Sequence, residues 1–139
     1  MSTPPDELTG AIVGLFAAVY RRYAEESESA AAFHDLTPLQ AKALLAAEGP
    51  VPMRSIASRL GAEPSNVTAI VDRLESRGLV ERGPDPADRR VRRVAATAAG
   101  RSVAADLRAR MPFAAEPVAR LTARQRETLH ALLQQMLEA

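Results

Sequence analysis

No cysteine occurs in the chain, which removes a disulfide framework, a thiolate zinc site and thiol-based peroxide sensing. Two histidines cannot build a metal cage unaided, so no metal or cofactor is expected. Tryptophan is absent and aromatic residues make up only 4% of the sequence. A core of Leu, Val and Ala buries less area per residue than one with rings, and a partner subunit often completes such a core. No apolar run approaches the ~20 residues needed to cross a bilayer. The opening stretch, MSTPPDELTG, carries acids where a secretory leader would carry bases. A cytoplasmic chain with no membrane partner is the resulting expectation. Also missing are a Gly-rich phosphate loop, a Ser nucleophile with a spaced base and any metal-ligand spacing, so an enzyme is not expected.

What is present points to helix. The 139 residues include 28 alanines, with 47% apolar and 25% charged residues, in keeping with one α-rich globular domain. The formal net charge is only +1, but its distribution is uneven. Residues 51–101 hold ten arginines against six acids, +4 there and −3 elsewhere. A local positive field of this kind fits a nucleic-acid footprint.

Along the chain, Leu8, Ile12, Leu15, Phe16, Val19, Tyr20 and Tyr23 recur at helical spacing, predicting a first helix over 5–28. Residues 27–35 lack periodicity and read as a loop or frayed turn. Thr37-Pro38-Leu39-Gln40 is a capping box with Pro at the first helical position, and Gly49-Pro50 stops the helix it starts. A brief helix over 53–60 broken by Gly61 and a second over 64–77 form a helix-turn-helix. Gly78 ends that pair. Alternating strands over 79–82 and 91–95 flank GPDPADRR, a loop suited to a projecting hairpin, the wing. Thr97 caps a helix over 98–111 that Pro112 and Pro117 must interrupt, and Thr122-Ala-Arg-Gln125 caps a last helix whose Leu129, Leu132, Leu133, Met136 and Leu137 want a partner.

Short polar side chains on the outer face of the second helix of the pair would let it enter a major groove about 12 Å wide. Ser65, Asn66, Thr68 and Arg73 are the candidates to read bases. Asn suits adenine, Arg suits guanine or phosphate, and the Thr68 methyl and Ala69 suit a thymine methyl. Arg54 and Ser55 lie on the outside of the first helix of the pair. A polar helix face alone is equally well a solvated one. The wing tips the balance, because Arg89, Arg90, Arg92 and Arg93 fall within five positions and repel unless Asp85, Asp88 or an outside polyanion offsets them. An arginine at a hairpin tip can enter a narrow A·T minor groove. A better rival than an enzyme is a winged-helix module that binds protein, or a repressor partner that dimerises without reading sequence, and a protein-binding module has no need of such a wing.

The segment LTPLQAKALL followed by RSIASRLGAEPSNVTAIVDRLESRGLVERGPDPADRRVRRVAATAAG resembles the MarR (multiple antibiotic resistance regulator) family, continuously over 36–100. The resemblance implies a mainly α fold: one winged helix-turn-helix domain over 1–139, with its DNA-binding region at 36–100, a two-stranded β wing, and N- and C-terminal dimerisation helices at 5–28 and 98–139. It implies a homodimer that binds double-stranded DNA and represses a pseudo-palindromic operator. By position it places recognition-helix contacts at Pro64, Ser65, Asn66, Thr68 and Arg73 and wing contacts at Asp85, Arg89 and Arg90. In the family one wing arginine often pairs with an acid while another probes the minor groove, with Asp72 and Asp88 the candidate acids here. The resemblance also implies a cleft for a small, often aromatic, anionic effector that releases DNA. Phe16, Tyr20, Tyr23, Phe33, His34 and Arg54 are candidates to line it, although an aromatic stripe on a first helix serves core or dimer packing more often. Two departures from the family pattern stand out: Ala96 where a bulkier apolar residue is usual, and Pro112 inside what is usually a longer helix.

Overall fold

The computed structural model describes residues 6–138. Helix α1 (Glu7–Phe33) opens with Asp6, whose carboxylate accepts from the Thr9 N–H at 2.6 Å. Pro5, the expected start, lies outside the described residues. The helix does not end near residue 28 but runs through 27–33, correcting the expected loop. The reason is chemical: the buried face of this stretch is made of methyl groups, Ala30 and Ala31, which pack into the core without the apolar contrast that periodicity detects. Asp35, at φ 55°, turns the chain out of the helix.

Helix α2 (Pro38–Ala46) carries the complete capping box, with Gln40 N–H donating to Thr37 Oγ1 at 3.1 Å and Thr37 N–H to Gln40 Oε1 at 3.0 Å. Then follow β1 (Val51–Pro52), α3 (Met53–Leu60) and α4 (Pro64–Ser76). Gly61, at φ 62°, closes α3 in the left-handed region that only glycine enters at no cost. Ile56 from α3 and Val67, Val71 and Leu74 from α4 face inward onto Leu44, which leaves the opposite side of α4 in solvent. The hairpin is β2 (Val80–Pro84) with β3 (Arg92–Ala96), paired from Val80↔Ala96 to Pro84↔Arg92. Strand β2 thus reaches two residues further into the loop than the alternation indicates, while β3 begins one residue later, at Arg92. Pro84 is tolerated because the strand order β1-β3-β2 puts β2 at the sheet edge. The short β1 pairs with β3 and makes the sheet three-stranded.

Helix α5 (Ala98–Arg110) starts at Thr97, whose hydroxyl accepts from Gly100 N–H at 3.1 Å and donates to the Gly78 carbonyl at 2.6 Å. Ala96 suits its place: its N–H donates to the Ala47 carbonyl at 2.7 Å, drawing β3 close to the end of α2. Pro112 ends α5 as expected, forcing Met111 out of helical geometry, and begins the short α6 (Pro112–Ala115). Glu26 of α1 compensates, accepting the Phe113 and Ala114 N–H groups at 3.0 and 3.3 Å, while Arg22 stacks 4.3 Å over the Phe113 ring. Helix α7 (Ala123–Leu137) has its capping box but buries none of its residues.

A tight joint lies between α5 and the backbone that leads from α4 into β2. A Cβ built on Gly100 would stand 1.9 Å from the Leu79 carbonyl oxygen, a backbone atom with no rotamer to yield. Gly100→Ala is therefore expected to lower stability by about 3 kcal/mol, read as a shift of the urea midpoint at unchanged slope. A midpoint equal to wild type would show that this joint has slack.

Candidate nucleic-acid interface

Pro64, Ser65, Asn66, Thr68, Ala69, Asp72 and Arg73 all lie exposed on one side of α4, opposite its buried Val67, Val71 and Leu74. The helix begins on Pro64, so its first turn lacks an N–H that would have had no partner. The Thr68 hydroxyl donates to the Pro64 carbonyl at 3.1 Å. Arg54 is exposed and Ser55 half-buried on the first turn of α3. Met53, Thr68, Glu75, Arg82 and Arg92 border one groove, which joins the start of α3, the outer face of α4 and the hairpin on a single side of the molecule.

Arg82 makes that junction. From β2 its guanidinium pairs with the Asp72 carboxylate of α4, and its backbone N–H donates to Glu75 Oε2 at 3.2 Å. Sequence reasoning missed this residue. The signal was available: Arg82 sits two positions from buried Val80, on the same face of the strand, and a charge facing inward requires a partner.

The wing tip is built by its two aspartates. Asp85 Oδ1 accepts from Ala87 N–H at 2.7 Å and Asp88 Oδ1 from Arg90 N–H at 3.1 Å, each carboxylate folding the backbone two residues ahead of it. The same aspartates hold arginines: Asp88 lies 3.2 Å from Arg90 Nε and Asp85 Oδ2 lies 3.2 Å from Arg93 Nε. Asp72 pairs with Arg82, not with an arginine of the tip. Among the described residues, Arg89 and Arg92 have no acidic partner within ion-pair distance, and both are exposed.

A second cleft of about 410 Å³ opens between α1, α2, α3 and the α5–α6 corner. Leu45, Met111 and Ala114 are among its apolar walls, and Lys42, Arg59 and Arg108 supply positive charge. Arg108 is held in a two-pronged ion pair by Glu48, which raises its pKa above the ordinary value. Of the aromatic and polar candidates for an effector site, Tyr23 alone lines this cleft. Phe16 and Tyr20 stand in solvent on α1, Tyr20 at 73% exposure. Phe33 lies under the Arg110 guanidinium, and the His34 ring bonds Asp106 at 2.6 Å. Hydrogen bonds from Arg110 and then His34 hold the Asp106 carboxyl below the usual carboxylate range.

A helix pair whose second member shows a polar face, flanked by a basic hairpin on the same side, defines a winged helix-turn-helix transcription regulator. The family model for the MarR family matches residues 36–91. CouR from Rhodococcus jostii RHA1, solved with p-coumaroyl-CoA, is 29% identical, with 96% of this chain and 93% of that one covered and a TM-score of 0.70. A MarR-family regulator from Rhodococcus sp. RHA1 is 28% identical over 95% and 96% of the two chains, TM-score 0.67. A protein described as a "probable transcriptional regulator" from Pseudomonas aeruginosa is 30% identical over 91% and 96%, TM-score 0.59. No curated protein matches the sequence. The chain belongs to the MarR family of transcriptional regulators. Among the described residues no helix is long and apolar enough to cross a membrane.

If the Asp72–Arg82 pair fixes the hairpin against α4, Arg82→Met will speed amide exchange across 80–84 and 92–96 by about threefold or more while leaving α2 and α5 unchanged, since a partly exposed pair contributes ~1 kcal/mol or less. Equal protection in the variant would mean that the sheet alone holds the wing.

Proposed function

We propose that the protein is a cytoplasmic homodimeric repressor that binds a pseudo-palindromic operator. One observation carries the reading: the wing pairs Arg90 and Arg93 with its own aspartates, yet among the described residues Arg89 and Arg92 stay exposed without an acidic partner, and Arg92 borders the groove beside the polar face of α4. Unpaired, closely spaced cations are the feature a duplex rewards and a protein-binding module does not need. In this reading Ser65, Asn66, Thr68, Ala69 and Arg73 meet base edges in the major groove, and Pro64 lets the first turn approach closely. Arg54 and Ser55 meet backbone phosphates, and Arg92 holds the phosphate between groove and wing. Arg89 enters the minor groove, and Asp85 and Arg90 shape the tip from which it projects.

The dimer follows from surface that one copy leaves uncovered. Leu8, Ile12, Val13, Leu15, Phe16, Val19 and Tyr20 on α1 and Leu132, Leu133, Met136 and Leu137 on α7 are exposed. Patches of this extent mark an interface, and joining α1 and α7 to a partner would bury them. Two recognition helices related by a two-fold axis then address half-sites about one helical turn, ~10 bp, apart. The cleft bounded by Tyr23, Lys42 and Arg59 accepts an effector with an apolar body and a negative group, and its occupation releases DNA.

Arg89→Ala tests the wing directly. Each phosphate charge no longer neutralised reduces the slope of log affinity against log salt by about 0.9, so the two wings of a dimer are expected to lose about 2 from the slope and any preference for A·T flanks. An unchanged slope would contradict the assignment.

A further inference from the structure

Arg77, which caps the end of α4, belongs neither to the groove nor to the wing. Its Nη1 donates to the Asp35 carbonyl at 3.1 Å and its Nη2 to the His34 carbonyl at 2.8 Å. These are the first two carbonyls beyond α1, at the negative end of that helix, where backbone acceptors lack partners within the helix. A planar guanidinium spans two such acceptors at once, which a single ammonium does not.

The acceptors are themselves fixed. The N–H groups of Asp35 and Leu36 return to the Ala32 and Ala31 carbonyls at 3.0 and 2.9 Å. The His34 ring is tied to Asp106 of α5, whose same oxygen takes a hydrogen bond from Arg110 at 2.7 Å. Helix α4 otherwise rests on α2, α3 and β2. Among the described residues, the two bonds from Arg77 are the side-chain hydrogen bonds that join the recognition helix and its cap to α1.

We propose that Arg77 is a positioning residue that sets the separation and angle of the two recognition helices in the dimer, and so selects the spacing between operator half-sites. The inference rests on the dimeric operator reading above, in which α1 is held against the partner copy. Each winged domain keeps its own base contacts without Arg77. What is lost is the fork that refers α4 to the shared helix, and with it the discrimination against half-sites set too near or too far.

The test uses full-length wild type, Arg77→Lys and Arg77→Ala on synthetic duplexes that carry two recognition half-sites with their separation changed in single base-pair steps. Wild type is expected to lose affinity about tenfold or more when the spacing is ~2 bp from its optimum, a coupling of ordinary size. Both variants are expected to lose less than about threefold there, with thermal unfolding of Arg77→Lys close to wild type. The lysine variant separates positioning from charge: a phosphate contact would survive Arg77→Lys, whereas the two-carbonyl fork does not. A wild-type spacing profile in Arg77→Lys, or a uniform loss of affinity at every spacing, would overturn the proposal alone. A wild type indifferent to spacing would overturn the dimeric operator reading and the proposal together.

Discussion

The winged region hangs on the place where the backbone leaving α4 runs against the first turn of α5. Gly78 turns the chain, Leu79 presents its carbonyl to Gly100, and Thr97 bonds both the Gly78 carbonyl and the Gly100 N–H. Thr97 N–H also donates to that Leu79 carbonyl at 3.0 Å. The recognition helix, both strands of the hairpin and the helix leading to the C-terminal end therefore share one joint of a few backbone groups. With a core of small side chains such as Ala43, Ala47, Ala96 and Ala104, this contact has little bulk around it to absorb a misfit.

Charge on the wing is divided between arginines that its aspartates hold and arginines that stay exposed. Asp85 and Asp88 fold the tip through backbone N–H groups and take up two of its arginines, and Asp72 takes the arginine that faces α4. Self-repulsion among the wing arginines is thereby relieved without cancelling the field, because Arg89 and Arg92 stay exposed, Arg92 on the side that carries the polar face of α4.

The elements marked by capping and turn chemistry were legible in the sequence: the Thr37 and Thr122 boxes, the Gly61 break, the Thr97 cap and the Pro112 stop all fall where residue type dictates. The continuation of α1 through Ala30 and Ala31 was not, since a face of methyl groups has no hydrophobic contrast. The exposed polar face of α4 could be placed from period alone. Partnerships across the fold could not: Arg82 with Asp72 and Arg77 with the end of α1 join residues whose spacing in sequence says nothing of their contact. The aromatic stripe of α1 illustrates the same limit, for only Tyr23 turns toward the cleft while Phe16 and Tyr20 lie on the uncovered side.

Under the proposed function, two copies of this MarR-family chain recognise duplex DNA in a sequence-specific way through α4 and the wing. Selection of bound duplexes from a random pool with the purified protein tests this most directly. The account predicts enrichment of an inverted repeat with half-site centres about one helical turn apart and A·T-rich flanks under the wings; a pool that returns no enriched motif would contradict it.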